Sequence, residues 1–286
     1  MAVYGTKTAN IMDIPLSISS VVTPYIGDNG YKWDGFNSVR VLSVANGTLA
    51  TYDETSATAP MGAPSLIVPV EQVLTLAYNK SMLLRIQRTQ IQDIPVSQFS
   101  KQVALQQAEQ VFVPAHDAYS LAKIFAARPA GNIIQIDGTR KDQGLQTMVN
   151  KARTGGAGLS SLVAWVTYTL SAKVQDAINF TGSDVGYTNG KNGYLGKVAN
   201  VPVVEVPDLY LFAGVSALCA DKRALVNVTP KMDPKAGGLT VIDPVPLFSG
   251  IEIQLRDRSD TFVLNKKAST VATLETSAST TTTTSS

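Results

Sequence analysis

Charge is scarce in this 286-residue sequence. Asp, Glu, Lys and Arg make up 16 % of it, against roughly a quarter in ordinary soluble domains, while 44 % is hydrophobic. A free monomer normally carries more surface charge than this, so much of the surface is expected to be covered by neighbours. The balance of 24 basic and 22 acidic residues leaves +2. That is too little for a protein whose affinity rests on neutralising many phosphates, and no arginine-rich tract occurs. One cysteine and one histidine exclude internal disulfides and zinc sites built from those ligands. Cys219, inside the apolar run "YLFAGVSALCA", points to folding in a reducing compartment. The longest apolar run is about half the roughly twenty residues a membrane span needs. The opening "MAVYGTKTANIMDIP" also lacks the apolar core of a signal peptide. The expectation is a soluble chain made inside the cell, with no membrane partner.

What is present gives little chemistry. "GKNGYLGKVANVPVVEVPD" at 190–208 has the glycines and lysines of a phosphate loop. However, Gly190 is one residue too early for Gly196-Lys197, and Val198 stands where a magnesium-binding hydroxyl is needed. A β-branched run follows, not a helix. His116 beside Asp117 suggests an oriented general base, yet adjacent helical residues diverge by about a hundred degrees, and a surface histidine is expected. "TGGAG" at 154–158 lacks a third glycine and precedes a strand, so it reads as a helix cap. Asp221, Asp233 and Asp243 lie in separate turns, where turn chemistry accounts for them without a cation. Trp33 and Trp165 have no interleaved basic residues and read as core or interface anchors. No catalytic residue, cofactor site or metal site is expected, and the chain is not expected to be an enzyme.

The chain begins with a turn-rich stretch, residues 1–36, that reads as an extended arm. From 37 to 80 two strand-like segments flank a small-residue tip, "ETSATAPMGAPS", which predicts a long hairpin. "MLLRIQRTQIQDI" is a third strand candidate. Residues 97–127 carry the longest helical signal, with Leu105, Ala108, Phe112, Ala115, Tyr119, Ala122 and Ala126 on one face. Pro114 is expected to kink or split that helix. "KDQGLQTMVNKARTGG" predicts a glycine-capped helix, "SSLVAWVT" a strand and "LSAKVQDAINF" a further helix. Strands return after Tyr194. In "GIEIQLRDRSDTFVLN", Ile251, Ile253 and Leu255 alternate with Glu252, Gln254 and Arg256, which implies one buried and one wet face. "TSASTTTTTSS" closes the chain as a low-complexity tail.

This order of arm, hairpin, long helix, mixed centre and returning strands resembles the major capsid proteins of tailed bacteriophages, the HK-ninety-seven-like fold. The stretches that carry the resemblance are "SLVAWVTYTLSAKVQDAINF", "GKVANVPVVEVPD" and "FSGIEIQLRDRSDTFVLNKKA". It implies an α+β chain with an N-terminal arm (1–36), an extended β-hairpin or E-loop (37–80) and a peripheral domain (81–155) with its spine helix at about 97–127. An axial domain (156–240), return strands (241–275) and a tail (276–286) complete it. The implied function is self-assembly into the icosahedral shell of a double-stranded DNA phage, in hexamers and pentamers. A portal, a separate scaffolding protein and weakly held DNA are the further partners, and the virion, assembled in the host cytoplasm, is the location. The implied contact residues are Glu54, Thr55, Ser56, Pro60, Met61 and Pro64 at the hairpin tip and Lys231, Asp233 and Lys235 in an axial loop. Lys7, Lys101 and Lys123 are the scattered basic groups expected near the interior. No lysine lies between Ser38 and Tyr78, so isopeptide crosslinking from the hairpin is not expected, and the arm is too short for a fused scaffolding domain. The alternative is another phage structural protein, a tail-tube or fibre subunit; the long helix counts against it.

Overall fold

The computed structural model of the chain describes residues 19–27, 31, 38–44, 46–55, 61–62, 66–87, 96–136, 141–158, 160–174, 194–228, 239–242 and 250–276. The chain forms two compact units, Tyr31–Leu76 and the remainder, Met1–Gly30 with Ala77–Ser286. In the small unit β1 (Ser38–Val44) pairs antiparallel with β2 (Pro69–Thr75), Val41 opposite Gln72.

The large unit contains a six-stranded sheet in the order β4 (Ile133–Ile136), β12 (Ala272–Thr276), β8 (Val215–Asp221), β5 (Leu162–Thr167), β7 (Val201–Val206) and β6 (Tyr194–Val198). β4 and β12 run parallel, as do β5 and β7; the other pairs are antiparallel. All six residues of β5, "LVAWVT", are buried, because both faces of this sheet are covered and the strand needs no polar alternation. On one face Leu162, Ala164 and Val166 pack with Leu145, Met148 and Val149 of α3 (Lys141–Thr154) and Leu170 of α4 (Tyr168–Val174). On the other, Val163 and Trp165 pack with Leu121 and Ile124 and with Val22 and Ile26 near the N-terminus. Residues 19–27 of the expected arm thus pack on the six-stranded sheet of the same chain, with Trp165 Nε1 donating to the Val21 carbonyl at 3.3 Å. Cys219 lies wholly buried within β8, and burial pushes its thiol up to about 12.

A second sheet orders β10 (Leu239–Ile242), β11 (Gly250–Val263) and β3 (Tyr78–Gln87), and the far end of β11 pairs with β9 (Leu225–Val228). Ile251, Ile253 and Leu255 point to a core completed by Ala104 and Phe112, while Gln254 and Arg256 are exposed, as the alternation predicts. Glu252, on the same outward side, is nevertheless buried, against Arg85.

The long helix departs from expectation in two ways. It does not break at Pro114: α1 (Val96–Gln107) passes through one wide turn, Ala108–Phe112, into α2 (Val113–Ala126). In that turn the Val113 N–H reaches the Ala108 carbonyl five residues back. The widening falls just ahead of Pro114, where the ring needs room and offers no N–H. The wide turn also adds a residue, which shifts the phase of the buried face. Leu105 is half-exposed, while Ala104, Phe112, His116, Asp117, Ser120, Leu121 and Ile124 are buried. An unbroken 3.6-residue repeat could not place them there.

The "GKVANVP" stretch is a hairpin. Gly196 and Lys197 lie in β6, and Ala199 and Asn200 turn the chain into β7 with φ of 49° and 64°. Two left-handed residues give the turn the twist that a two-residue hairpin requires. The "TGGAG" stretch ends α3, with Gly156 at φ 97°. Its neighbour Gly155 is fixed by closeness: a Cβ there would lie 2.0 Å from the Ser269 carbonyl oxygen, and Ser269 Oγ donates to the Gly155 carbonyl at 2.8 Å. Gly155→Ala is therefore expected to destabilise the large unit by about 1–3 kcal/mol in urea unfolding. A change within about 0.5 kcal/mol would contradict this packing.

Candidate functional site

Two features stand out as candidates: the surface of the small unit and a polar seam inside the large one. In the small unit, Arg40, Leu42 and Val44 of β1 share a face with Glu71 and Val73 of β2 by register. Arg40 and Glu71 form a 3.4 Å ion pair; both are largely exposed, so it contributes little stability. Leu42, Val44 and Val73 beside them are exposed, and beyond the strands so are Leu49, Met61 and Leu66. Of the large apolar side chains exposed among the described residues, ten of seventeen lie between Leu42 and Val73. Such a concentration makes this surface a candidate for interaction, because scattered exposed apolar groups are normal and contiguous ones are not.

The tip is shaped locally. Asp53 Oδ1 accepts from the Thr55 N–H at 2.9 Å and from its hydroxyl at 2.6 Å, a turn that aspartate side chains favour. Gly62 has φ 77°, and a Cβ on it would lie 2.7 Å from Ala50 Cβ, so the two sides of the tip approach closely. Of the expected tip residues, Glu54, Thr55 and Met61 are exposed; Ser56, Pro60 and Pro64 lie outside the described residues. Lys231, Asp233 and Lys235 also lie outside them, in the connection from β9 to β10, both of which pair with β11. Trp33, Asp233 and Asp243 fall outside as well. Asp221 caps a turn, accepting from the Arg223 N–H and the Ser161 hydroxyl, each at 2.8 Å.

The seam lies between α2 and β11. His116 and Asp117, expected on a helix surface, are both buried. They diverge as adjacent helical residues must. Asp117 accepts from Ser20 Oγ at 2.6 Å and from the Val21 N–H at 2.9 Å, which ties residues 20–21 to the long helix. Burial pushes its carboxyl up to about 6, although these hydrogen bonds oppose the shift. His116 stacks edge-on against Tyr78, ring centroids 5.9 Å apart. Burial lowers its pKa, partly offset by Asp260, so the ring is neutral near pH 7. Asp260 is fully buried and accepts from the Tyr119 hydroxyl at 3.0 Å and from the N–H groups of Ala77 and Thr261 at 2.7 and 2.8 Å. Ser120 and Thr261 share a 2.7 Å hydroxyl contact, and Thr261 donates to Asn227 at 3.2 Å. Burial also pushes Asp257 up to about 6.

Chemically this seam holds elements in place. Asp260 fixes Ala77, the first residue after the small unit, to both α2 and β11, and buried hydrogen bonds of this kind favour one packing over others. His116 as a general base would need solvent or substrate at its ring, and only 6 % of the residue is exposed. Among the described residues no group of three His, Cys, Asp or Glu is placed to hold a metal ion, and no helix is long and apolar enough to cross a membrane. Sequence reasoning passed over the seam. The available signal was the polar run Asp257, Ser259, Asp260 and Thr261 inside a strand that otherwise alternates.

The sequence matches no protein-family profile and no curated protein. Its backbone does match solved structures over nearly its whole length. The capsid structure of the cyanophage P-SCSP1u superimposes with a TM-score of 0.66 at 14 % identity, covering 96 % of this chain and 94 % of that one. A structure from Mycobacterium phage Bobi gives 0.66 at 14 %, covering 96 % of each chain. The asymmetric unit of the bacteriophage PhiM1 mature capsid gives 0.58 at 14 %, covering 97 % and 91 %. The chain therefore has the α+β phage capsid fold that its order of elements resembles.

The seam has a pH signature. Asp117 has an ordinary value of 3.8 and a folded value of about 6, so between these the folded protein binds the proton more tightly than the unfolded chain. Its stabilising contribution is complete below 3.8 and is lost as pH rises through 6. Asp117→Asn lacks this dependence. Its stability relative to wild type is expected to rise by about 2–3 kcal/mol between about pH 4 and about pH 7 in urea unfolding. A pH-independent difference would contradict a buried, protonatable Asp117.

Proposed function

We propose that this chain is the major capsid protein of a tailed phage, a structural subunit and not an enzyme. It self-assembles into the icosahedral shell that encloses a double-stranded DNA genome. The observation that carries the reading is the apolar surface between Leu42 and Val73, on a chain whose fold matches capsid structures along 96 % of its length. Val41 and Leu74 on one face of the hairpin are buried, but two strands cannot cover the face that carries Leu42, Val44 and Val73. A neighbouring copy supplies one, and the same contact repeated around a ring closes the assembly. Low overall charge fits a surface mostly occupied by neighbours.

In this reading residues 1–36 are the arm, 37–80 the E-loop, 81–155 the peripheral domain and 156–240 the axial domain. Residues 241–275 are the return strands and 276–286 the tail. Glu54, Thr55, Ser56, Pro60, Met61 and Pro64 meet the neighbouring subunit, and Lys231, Asp233 and Lys235 meet neighbours within hexamers and pentamers. A portal and a separate scaffolding protein complete assembly in the host cytoplasm, and the product is the virion shell. DNA is held weakly, since a net charge of +2 offers few phosphate contacts, with Lys7, Lys101 and Lys123 the scattered basic groups on the inner side.

Electron microscopy of the purified chain tests the reading: closed shells are expected. Deleting Glu54–Ser65 is expected to abolish them while leaving a folded subunit with wild-type circular dichroism. Shells of normal size from the deletion variant would remove the hairpin from the assembly contacts, and dispersed monomers from the wild-type chain would contradict the function itself.

A further inference from the structure

Resting on the shell-subunit reading, we infer that the acidic tip of one copy's hairpin docks on an arginine-bearing face of the β3–β11 sheet in a second copy. Ile251, Ile253 and Leu255 of β11 face the core, so residues 252, 254, 256 and 258 face outward. On that side Arg85 lies opposite Glu252 and pairs with it at 2.9 Å. Leu83, exposed, lies opposite Gln254, and beyond it come Arg256 and Arg258, both exposed. Arg256 Nε donates to Asn79 Oδ1 at 3.0 Å, which holds it against β3. The face thus carries three arginines against one glutamate around an exposed leucine.

The hairpin offers the complement. From Val41 to Val70 the only charged residues are Asp53 and Glu54, both acidic and both exposed, flanked by exposed Leu49, Tyr52 and Met61. Two adjacent carboxylates in a turn can reach two guanidinium groups about 7 Å apart along one face of a strand, and the planar fork of arginine suits carboxylate. Leu83 gives the apolar residues beside the carboxylates something to meet. Charge of this kind fixes register and partner choice more than affinity, which is what a subunit that must select one neighbour position requires.

A charge swap in the full-length chain tests the contact. Glu54→Lys, and separately Arg256→Glu with Arg258→Glu, are each expected to raise the concentration needed for shell formation about tenfold. The chain carrying all three changes recovers assembly. Two single-cysteine chains, Glu54→Cys and Arg258→Cys, are mixed, assembled and oxidised; they are expected to give a disulfide-linked dimer that neither chain forms alone. Buried Cys219 stays unreactive. Reversals without effect on assembly, a triple variant no better than the single changes, or absence of the mixed dimer overturns the contact. Loss of duplex DNA binding in Arg256→Glu with Arg258→Glu, with assembly unchanged, assigns these arginines to phosphate and overturns it too. Wild-type chain that forms no shells fails the shell reading and this contact together, whereas wild-type shells indifferent to the swap fail only the contact.

Discussion

A pair of antiparallel strands cannot cover both of its own faces: Val41 and Leu74 on one face are buried, the opposite face is not, and that constraint shapes this protein. Between Ser38 and Thr75 the chain spends seven residues on each of two paired strands and then leaves Leu42, Val44, Val70 and Val73 in solvent. At about 25 cal/mol per Å² of apolar surface, a ribbon of this kind is a standing driving force for association. Its lack of lysine and its few charges remove the usual protection of an exposed sheet edge. Ala77 is held by Asp260, Asp260 by Tyr119, and Tyr78 packs on both Tyr119 and His116.

The seam also explains why the long helix is built as it is. To meet β11 with His116, Tyr119 and Ser120 while α1 covers Ile251, Ile253 and Leu255, the helix must change phase between its halves. The wide turn at Ala108–Phe112 does this without a break. Such a network costs desolvation, seen in the raised carboxyls of Asp117 and Asp257. In return it allows one arrangement of helix, strand and N-terminal segment, where a purely apolar contact would tolerate several.

Much of this was legible in the sequence, because local patterns carry it. The alternation in "GIEIQLRDRSD" reported a sheet with one wet face, and "SSLVAWVT" reported a strand. The spacing of Leu145, Met148, Val149 and Ala152 reported α3 and its buried stripe. What was not legible depends on partners far along the chain. His116 is buried because Tyr78 and β11 pack over it, and Asp117 because Ser20, 97 residues earlier, donates to it; neither neighbour is visible from the helix alone. The β6–β7 turn carries Ala and Asn at its left-handed positions, without the Asn-Gly signal that usually announces such a hairpin. Pro114 was a correct warning of irregular helix, but sequence could not show that one wide turn would satisfy it.

On the proposed function, the hairpin surface is covered by another copy of the chain. Hydrogen–deuterium exchange measured on assembled particles and on subunits dissociated from them addresses it directly. Peptides spanning Leu42–Tyr52 and Leu66–Thr75 are expected to exchange at least about tenfold more slowly in the particle, while β5 and β8 in the buried sheet are slow in both. Equal exchange of the hairpin peptides in the two states would contradict it.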